Sequence, residues 1–240
     1  MSLTGYFKLA SEKNKTVSVA RLVKASTGDF DFYLFAILGV SMATFGLILN
    51  TPEVIIGSML IAPILYPLLS ASLSFVLVDF TLMYRAVRTL VITFVSAVFV
   101  SFFLTLLLSF FIDITLGEQV IARAQPSLLF FLVACISGLA ATFALVQASL
   151  NEMLPGVAIS VALVPPLAVI GIGLGVGDAT VASKALALFL LNVLGVGLSS
   201  ILMFTIMDLH GTHKVALSAI KQEERRLKKE NEKMQTISEE

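Results

Sequence analysis

Apolar residues in this chain come in long unbroken runs rather than in alternation. Six stretches stand out: Asp31 to Leu49, the residues after Asn50-Thr51-Pro52-Glu53 as far as Val78, Thr89 to Ile112, Ser127 to near Gln147, Leu154 to about Val176, and Thr180 to Met207. Roughly 20 apolar residues in a helix cross a hydrocarbon core about 30 Å thick, and backbone groups in lipid must bond within their own segment. The pattern therefore predicts an all-α polytopic membrane protein with six transmembrane helices. Composition agrees, with 58% hydrophobic and 13% charged residues and a mean hydropathy of +0.97, against about 45–50% and about 25% in soluble domains. A formal net charge of zero gives no sign of a nucleic-acid binder. Cys135 is the single cysteine, so no intramolecular disulfide is available.

Charge sets the expected orientation. Fourteen of the sixteen Lys and Arg residues lie before the first run, at Arg85 and Arg88 between the second and third, or after the sixth; only Arg123 and Lys184 fall on the other side. The positive-inside tendency then places both termini in the cytoplasm, which requires an even number of crossings. The first run follows about thirty residues bearing five basic groups with no small-residue cleavage site, so a removable signal peptide is not expected. Residues 11–27 read as a short helix on the membrane surface.

The two halves resemble each other. Ala43-Thr44-Phe45 in the first run matches Ala141-Thr142-Phe143 in the fourth at an offset of 98, and Ile56 to Leu65 can be laid on Ile159 to Ala168 at an offset of 103, aligning Pro63 with Pro166. Three spans per half makes the copies antiparallel, so the expected architecture is a 3+3 inverted-topology repeat with proline-broken helices 2 and 5. The implied division is a cytoplasmic N-terminal segment (1–30), a first three-helix repeat (31–112), an external loop (113–125), a second repeat (126–209) and a cytoplasmic C-terminal helix (210–240). Leu217, Ile220, Glu224, Leu227, Asn231 and Met234 form a 3-4 seam in that last segment, compatible with a coiled coil and a homo-oligomer.

Three stretches, Ala43 to Asn50, Val54 to Pro63 and Leu154 to Val169, resemble the uncharacterised hydrophobic domain family, domain of unknown function 389, over roughly residues 30 to 210. The resemblance implies integral membrane proteins of prokaryotes, hence the plasma membrane, and no activity. Many relatives carry an added soluble domain, which the short segment before the first run leaves no room for.

Candidate chemistry follows from polar or helix-breaking residues within the runs. Pro63, Pro67, Pro165 and Pro166 should interrupt spans two and five, freeing carbonyls and helix termini as ligands. Glu53 and Glu152, with Asn50 and Asn151 beside them, sit in corresponding turns; they start helices, or else carry protons or bind cations at two gates. Thr44, Thr142, Gln147 and Asn192 are intramembrane polar groups that bond between helices or face a pathway. Gly171, Gly173, Gly175 and Gly177 allow close helix contact and are no nucleotide fingerprint, since no strand precedes them. His210 and His213 form no zinc set, Ser70, Ser72 and Ser74 have no base to activate them, and Arg85 and Arg88 read as anchors at anionic headgroups. No catalytic residue, metal or cofactor is expected. The expected function is transport of a small solute or ion by alternating access around the two breaks, with the lipid bilayer as environment. The alternatives are a channel, or an oligomeric scaffold or assembly protein without transport.

Overall fold

The computed structural model describes residues 12–147, 150 and 163–238. Among these there is no strand. The helices are α1 (Glu12–Ala25), α2 (Phe30–Ile48), α3 (Pro52–Ile61), α4 (Leu65–Leu77), α5 (Phe80–Ser109), α6 (Glu118–Ala122), α7 (Leu128–Val146), α8 (Val164–Gly175), α9 (Ala179–Ile206) and α10 (His213–Ser238), with a 3₁₀ turn at His210–Thr212. Four of them, α2, α5, α7 and α9, are long and apolar enough to cross a membrane; α3 and α4, bent by 52° at their break, make up to five.

The burial pattern is that of a protein whose solvent is hydrocarbon. On α5 the buried positions are Leu82, Ala86, Thr89, Thr93, Ala97, Ser101 and Thr105, nearly all small or hydroxylic. Its outward face carries Val87, Val91, Val95, Phe99, Phe103 and Leu107. Large apolar side chains gain nothing by leaving lipid, whereas small ones let backbones approach. At 30 residues α5 is about 45 Å long, so it outruns the hydrocarbon. It begins at Phe80 instead of Thr89, and Arg85 and Arg88 therefore lie on helix and not in a loop.

Close backbone contact builds the main seams. The most extensive packing joins α7 to α9, followed by α8 to α5. A Cβ added at Gly138 of α7 would come within 2.2 Å of Ser199 Oγ and 2.8 Å of Val196 Cα and O. One added at Gly171 of α8 would come within 2.5 Å of Ser101 Cβ, and at Gly175 within 2.7 Å of Thr105 Cγ2.

Four helices end in the same left-handed corner. The residues concerned are Asn50 (φ 56°), Val78 (φ 53°), Gly177 (φ 79°) and Asp208 (φ 57°). In each case the next residue's N–H reaches back to a carbonyl five positions earlier, as Thr51 to Gly46 (2.9 Å), Asp79 to Ser74 (3.0 Å), Asp178 to Gly173 (2.8 Å) and Leu209 to Phe204 (3.2 Å). These bonds satisfy terminal carbonyls that have no partner within their own helix. Two corners lead into matching helix starts, for Asp79 caps α5 through Leu82 N and Asp178 caps α9 through Thr180 N and Val181 N. Measured from these aspartates, α4 and α8 start at the same distance and carry Pro67 and Pro166 at the same third position. Pro67 and Pro166, 99 residues apart in sequence, thus hold the same position relative to these caps.

α1 is amphipathic as expected, but it docks on protein. Val19, Leu22 and Val23 are buried, Ser18 Oγ donates to Leu145 O (2.8 Å), and Lys15 Nζ donates to Asp208 O (3.3 Å). α10 packs against α1 and buries Ala216 and Ile220. Part of the proposed coiled-coil seam is thus used within the chain.

Two substitutions test this packing. Gly138→Ala should lower the thermal midpoint sharply and cut the monodisperse yield in detergent, because neither backbone can retreat. Gly197→Ala, where the new Cβ meets only Ser72 Oγ at 3.9 Å, should leave the midpoint unchanged or raise it, adding up to about 1 kcal/mol of stability, the ordinary helix preference for alanine over glycine. A β-branched residue in the left-handed region costs about 1–3 kcal/mol, and Val78 is 72% exposed, so little packing opposes its replacement. Val78→Gly should raise the thermal midpoint by several degrees in the same assay.

Candidate functional site

Three kinds of intramembrane feature survive as functional candidates: the break in span two, the start of α8, and a set of buried hydroxyls. At the break, Ala62 adopts an extended backbone (ψ 117°) and Pro63 follows, removing a donor just where α3 stops. α4 then begins at Leu65 with no side-chain cap. α8 begins at Val164, likewise with no side-chain cap. Pro165 and Pro166 are buried in its first turn, where proline is tolerated because those N–H groups have no intrahelical partner. They open the helix rather than kink it. Pro67 stands in the same relation to α4 and does not interrupt it. Residues 148–162, including Asn151 and Glu152, lie outside the described residues, except Leu150.

Thr44 belongs to a hydroxyl node joining three helices. Its Oγ1 donates toward Val40 O and Ser101 Oγ, both at 2.9 Å, and Ser101 Oγ donates to Ala168 O on α8 (2.7 Å). The corresponding pair in the second half is Thr142 and Ser200, both fully buried. There Ser200 Oγ reaches Gly138 O at 3.4 Å, and Thr142 Oγ1 has no partner among the described residues. The sequence reading missed Ser101 and Ser200. The signal was present as hydroxyls and alanines at four-residue spacing in the third run.

Several candidates have structural work. Asn50 is exposed, its Oδ1 accepting from Gln119 N (2.9 Å), which ties the α2 corner to α6. Glu53 is exposed in the first turn of α3, behind Thr51 and Pro52. Gln147 ends α7, its N–H donating to Phe143 O (3.0 Å). Asn192 is buried in the middle of α9. Ser70, Ser72 and Ser74 all donate to main-chain carbonyls, Ser70 as far as Leu22 O on α1 (2.7 Å). Arg123, between α6 and α7, donates to Gln119 O and Oε1 (3.0 and 2.7 Å), and burial pushes its guanidinium below the usual arginine value. His213 approaches Asp79 Oδ2 at 3.9 Å. Among the described residues no group of His, Cys, Asp and Glu could hold a metal ion. The structure thus brings Thr44 together with α8 near the Pro165–Pro166 start and leaves Asn50 and Glu53 at the bundle surface.

Comparison with known proteins adds a family without an activity. An uncharacterized protein of Methanocaldococcus jannaschii, MJ0678, is 30% identical over 172 residues, covering 72% of this chain and 52% of that protein. The chain thus spans about half the length of the curated relative it matches. No solved structure matches it. The family model that does match covers residues 59–198, from the end of α3 through most of α9, and the chain belongs to the family described as Domain of unknown function (DUF389).

Proposed function

We propose that this protein is a membrane transporter for a small solute or ion, built as a 3+3 inverted repeat of six crossings and working by alternating access, with no catalytic step. One observation carries the reading: α4 and α8 are two short helices, each opening among buried apolar residues without a side-chain cap and with a proline at its third position. Such ends hold positive dipoles in a low-dielectric medium and suit anionic or strongly dipolar solutes.

The packing supports an inverted repeat. α4 lies against α5 of its own half and α9 of the other, and α8 lies against α9 of its own half and α5 of the other. Thr44 and Thr142, Pro67 and Pro166, Asp79 and Asp178, and Ser101 and Ser200 keep offsets of 98 or 99. The symmetry is incomplete, since α7 leans on α9 more heavily than α2 leans on α5. α7 ends beside α1 through Leu145, while α8 ends beside Thr105 near the far end of α5, and these opposite placements support a sixth crossing. With the basic termini inside, the membrane is the plasma membrane of a prokaryote.

Reconstitution in liposomes tests the reading. Labelled anions, cations and neutral solutes should reveal one class with saturable uptake that supports counterflow. Pro63→Ala, which lets α3 run on toward α4, should slow that uptake about tenfold, a barrier change of about 1.4 kcal/mol. Truncation at residue 217 should spare it. Non-saturating conductance would replace the transporter by a channel. Loss of a defined oligomer on truncation, with no flux of any class, would replace it by a scaffold.

A further inference from the structure

Away from the breaks, where α1 turns into α2 beside the first turns of α5, a cavity of about 180 Å³ is lined by Thr27, Gly28, Tyr33, Tyr84, Arg85 and Arg88 among others. Four buried side-chain atoms among the described residues lack a hydrogen-bond partner, and two of them, Thr27 Oγ1 and Arg85 Nη1, belong to residues lining this one cavity. Buried polar groups left unpaired are costly, so two on one cavity wall point to a missing partner. Both can donate, and one is cationic, so the partner is an acceptor and an anion.

The walls are held in place independently of any ligand. Thr89 Oγ1 donates to Ser26 O (2.8 Å) and accepts from Gly28 N (3.2 Å), strapping the α1–α2 turn to α5. The ring of Tyr33 lies so close over Gly28 that an added Cβ would come within 2.5 Å of it. Arg85 Nη2 donates to Glu224 on α10, which fixes one edge of the guanidinium of a residue that lines the cavity. No lining residue is acidic. A neighbouring cavity of about 350 Å³ shares Thr27 and adds Arg21 and Lys24, together with Asp29, whose carboxylate is already engaged in capping Phe32 N (3.0 Å). The length of α5 puts this end beyond the hydrocarbon, at headgroup level.

We infer that this cavity is a phosphate-oxyanion site, in which Arg85 and Arg88 supply charge and Thr27 supplies a neutral donor, with Glu224 of α10 positioning Arg85. Guanidinium groups suit phosphate because their planar donors match its oxygens. The oxyanion comes either from the headgroup of an anionic lipid or from free phosphate, and the site stands whether or not the bundle transports.

The full chain in phosphatidylcholine nanodiscs separates the sources. One arm titrates inorganic phosphate and reads the thermal midpoint. The other exchanges in phosphatidylglycerol and reads retained lipid by native mass spectrometry. One arm should saturate. Arg88→Gln and Thr27→Val, which leave the Glu224 contact intact, should each weaken that binding, Arg88→Gln by about tenfold or more as for a lost charged hydrogen bond. Lys184→Gln, at the other end of the bundle, should not. Saturation by the lipid alone assigns a headgroup, and saturation by phosphate assigns a soluble ligand. Failure of both arms, or binding indifferent to Arg88→Gln and Thr27→Val, overturns the site.

Discussion

Lipid gives helices no hydrophobic reward for touching one another, and that constraint shapes this molecule. Association must come from close backbone contact and from hydroxyls that find carbonyls, each cross-helix bond contributing about 0.6–2 kcal/mol. Hence the inside of α5 is Ala, Thr and Ser while its outside is Val and Phe, the reverse of a soluble helix. Hence also Gly171 and Gly175 of α8 fall where α5 passes closest, and Gly173 falls where α9 begins. A methyl group too many on these seams separates two main chains and stretches the hydroxyl bonds that join them.

The same constraint explains what the sequence made legible. The apolar runs marked α2, α7 and α9 nearly to the residue, because a segment that must bond its own backbone in lipid has little choice of structure. The helix starts at Pro52 and Phe80 differ in this respect. Thr51-Pro52-Glu53 advertised the first through its own local chemistry. At the second, the apolar tally began only after Arg88, yet α5 had already run for two turns. Hydropathy reports where lipid begins, whereas Asp79 and the left-handed Val78 report where the helix begins. Val78 carried no warning, since no pattern assigns a β-branched residue to such a corner.

The candidate site was legible in its ingredients but not in its register. Matching Pro63 with Pro166 relied on identical letters, whereas the helix starts match Pro67 with Pro166. A proline breaks a helix only if the chain before it was already helical; in the first turn it opens one, and sequence alone does not tell the two apart. Thr44 was readable as an intramembrane hydroxyl, but its partner Ser101 is 57 residues away, beyond any local rule. Arg85 was readable as a headgroup anchor, whereas Thr27 acquires interest only because the turn at Gly28 brings it to the same cavity.

α1 limits what any rocking of the two halves could be. It is bonded to the first half through Ser70, which donates to Leu22 O, and through Thr89, which donates to Ser26 O. It is bonded to the second half through Leu145 O and Asp208 O, which accept from Ser18 and Lys15. α10 adds Arg85 to Glu224 on the same side. At the opposite end Gln119 N donates to Asn50 Oδ1, a bond between the first half and the loop that follows it and not between the halves. A movement that opened the α1 end would have to break hydrogen bonds to both halves at once, whereas one that opened the far end would leave them intact. The captured arrangement is therefore clasped at the α1 end, and the clasp passes directly beside Thr27, Arg85 and Arg88. Any anion seated there would add a further tie between the α1–α2 turn and α5, on the side of the bundle where α1 already holds both Leu145 and Asp208.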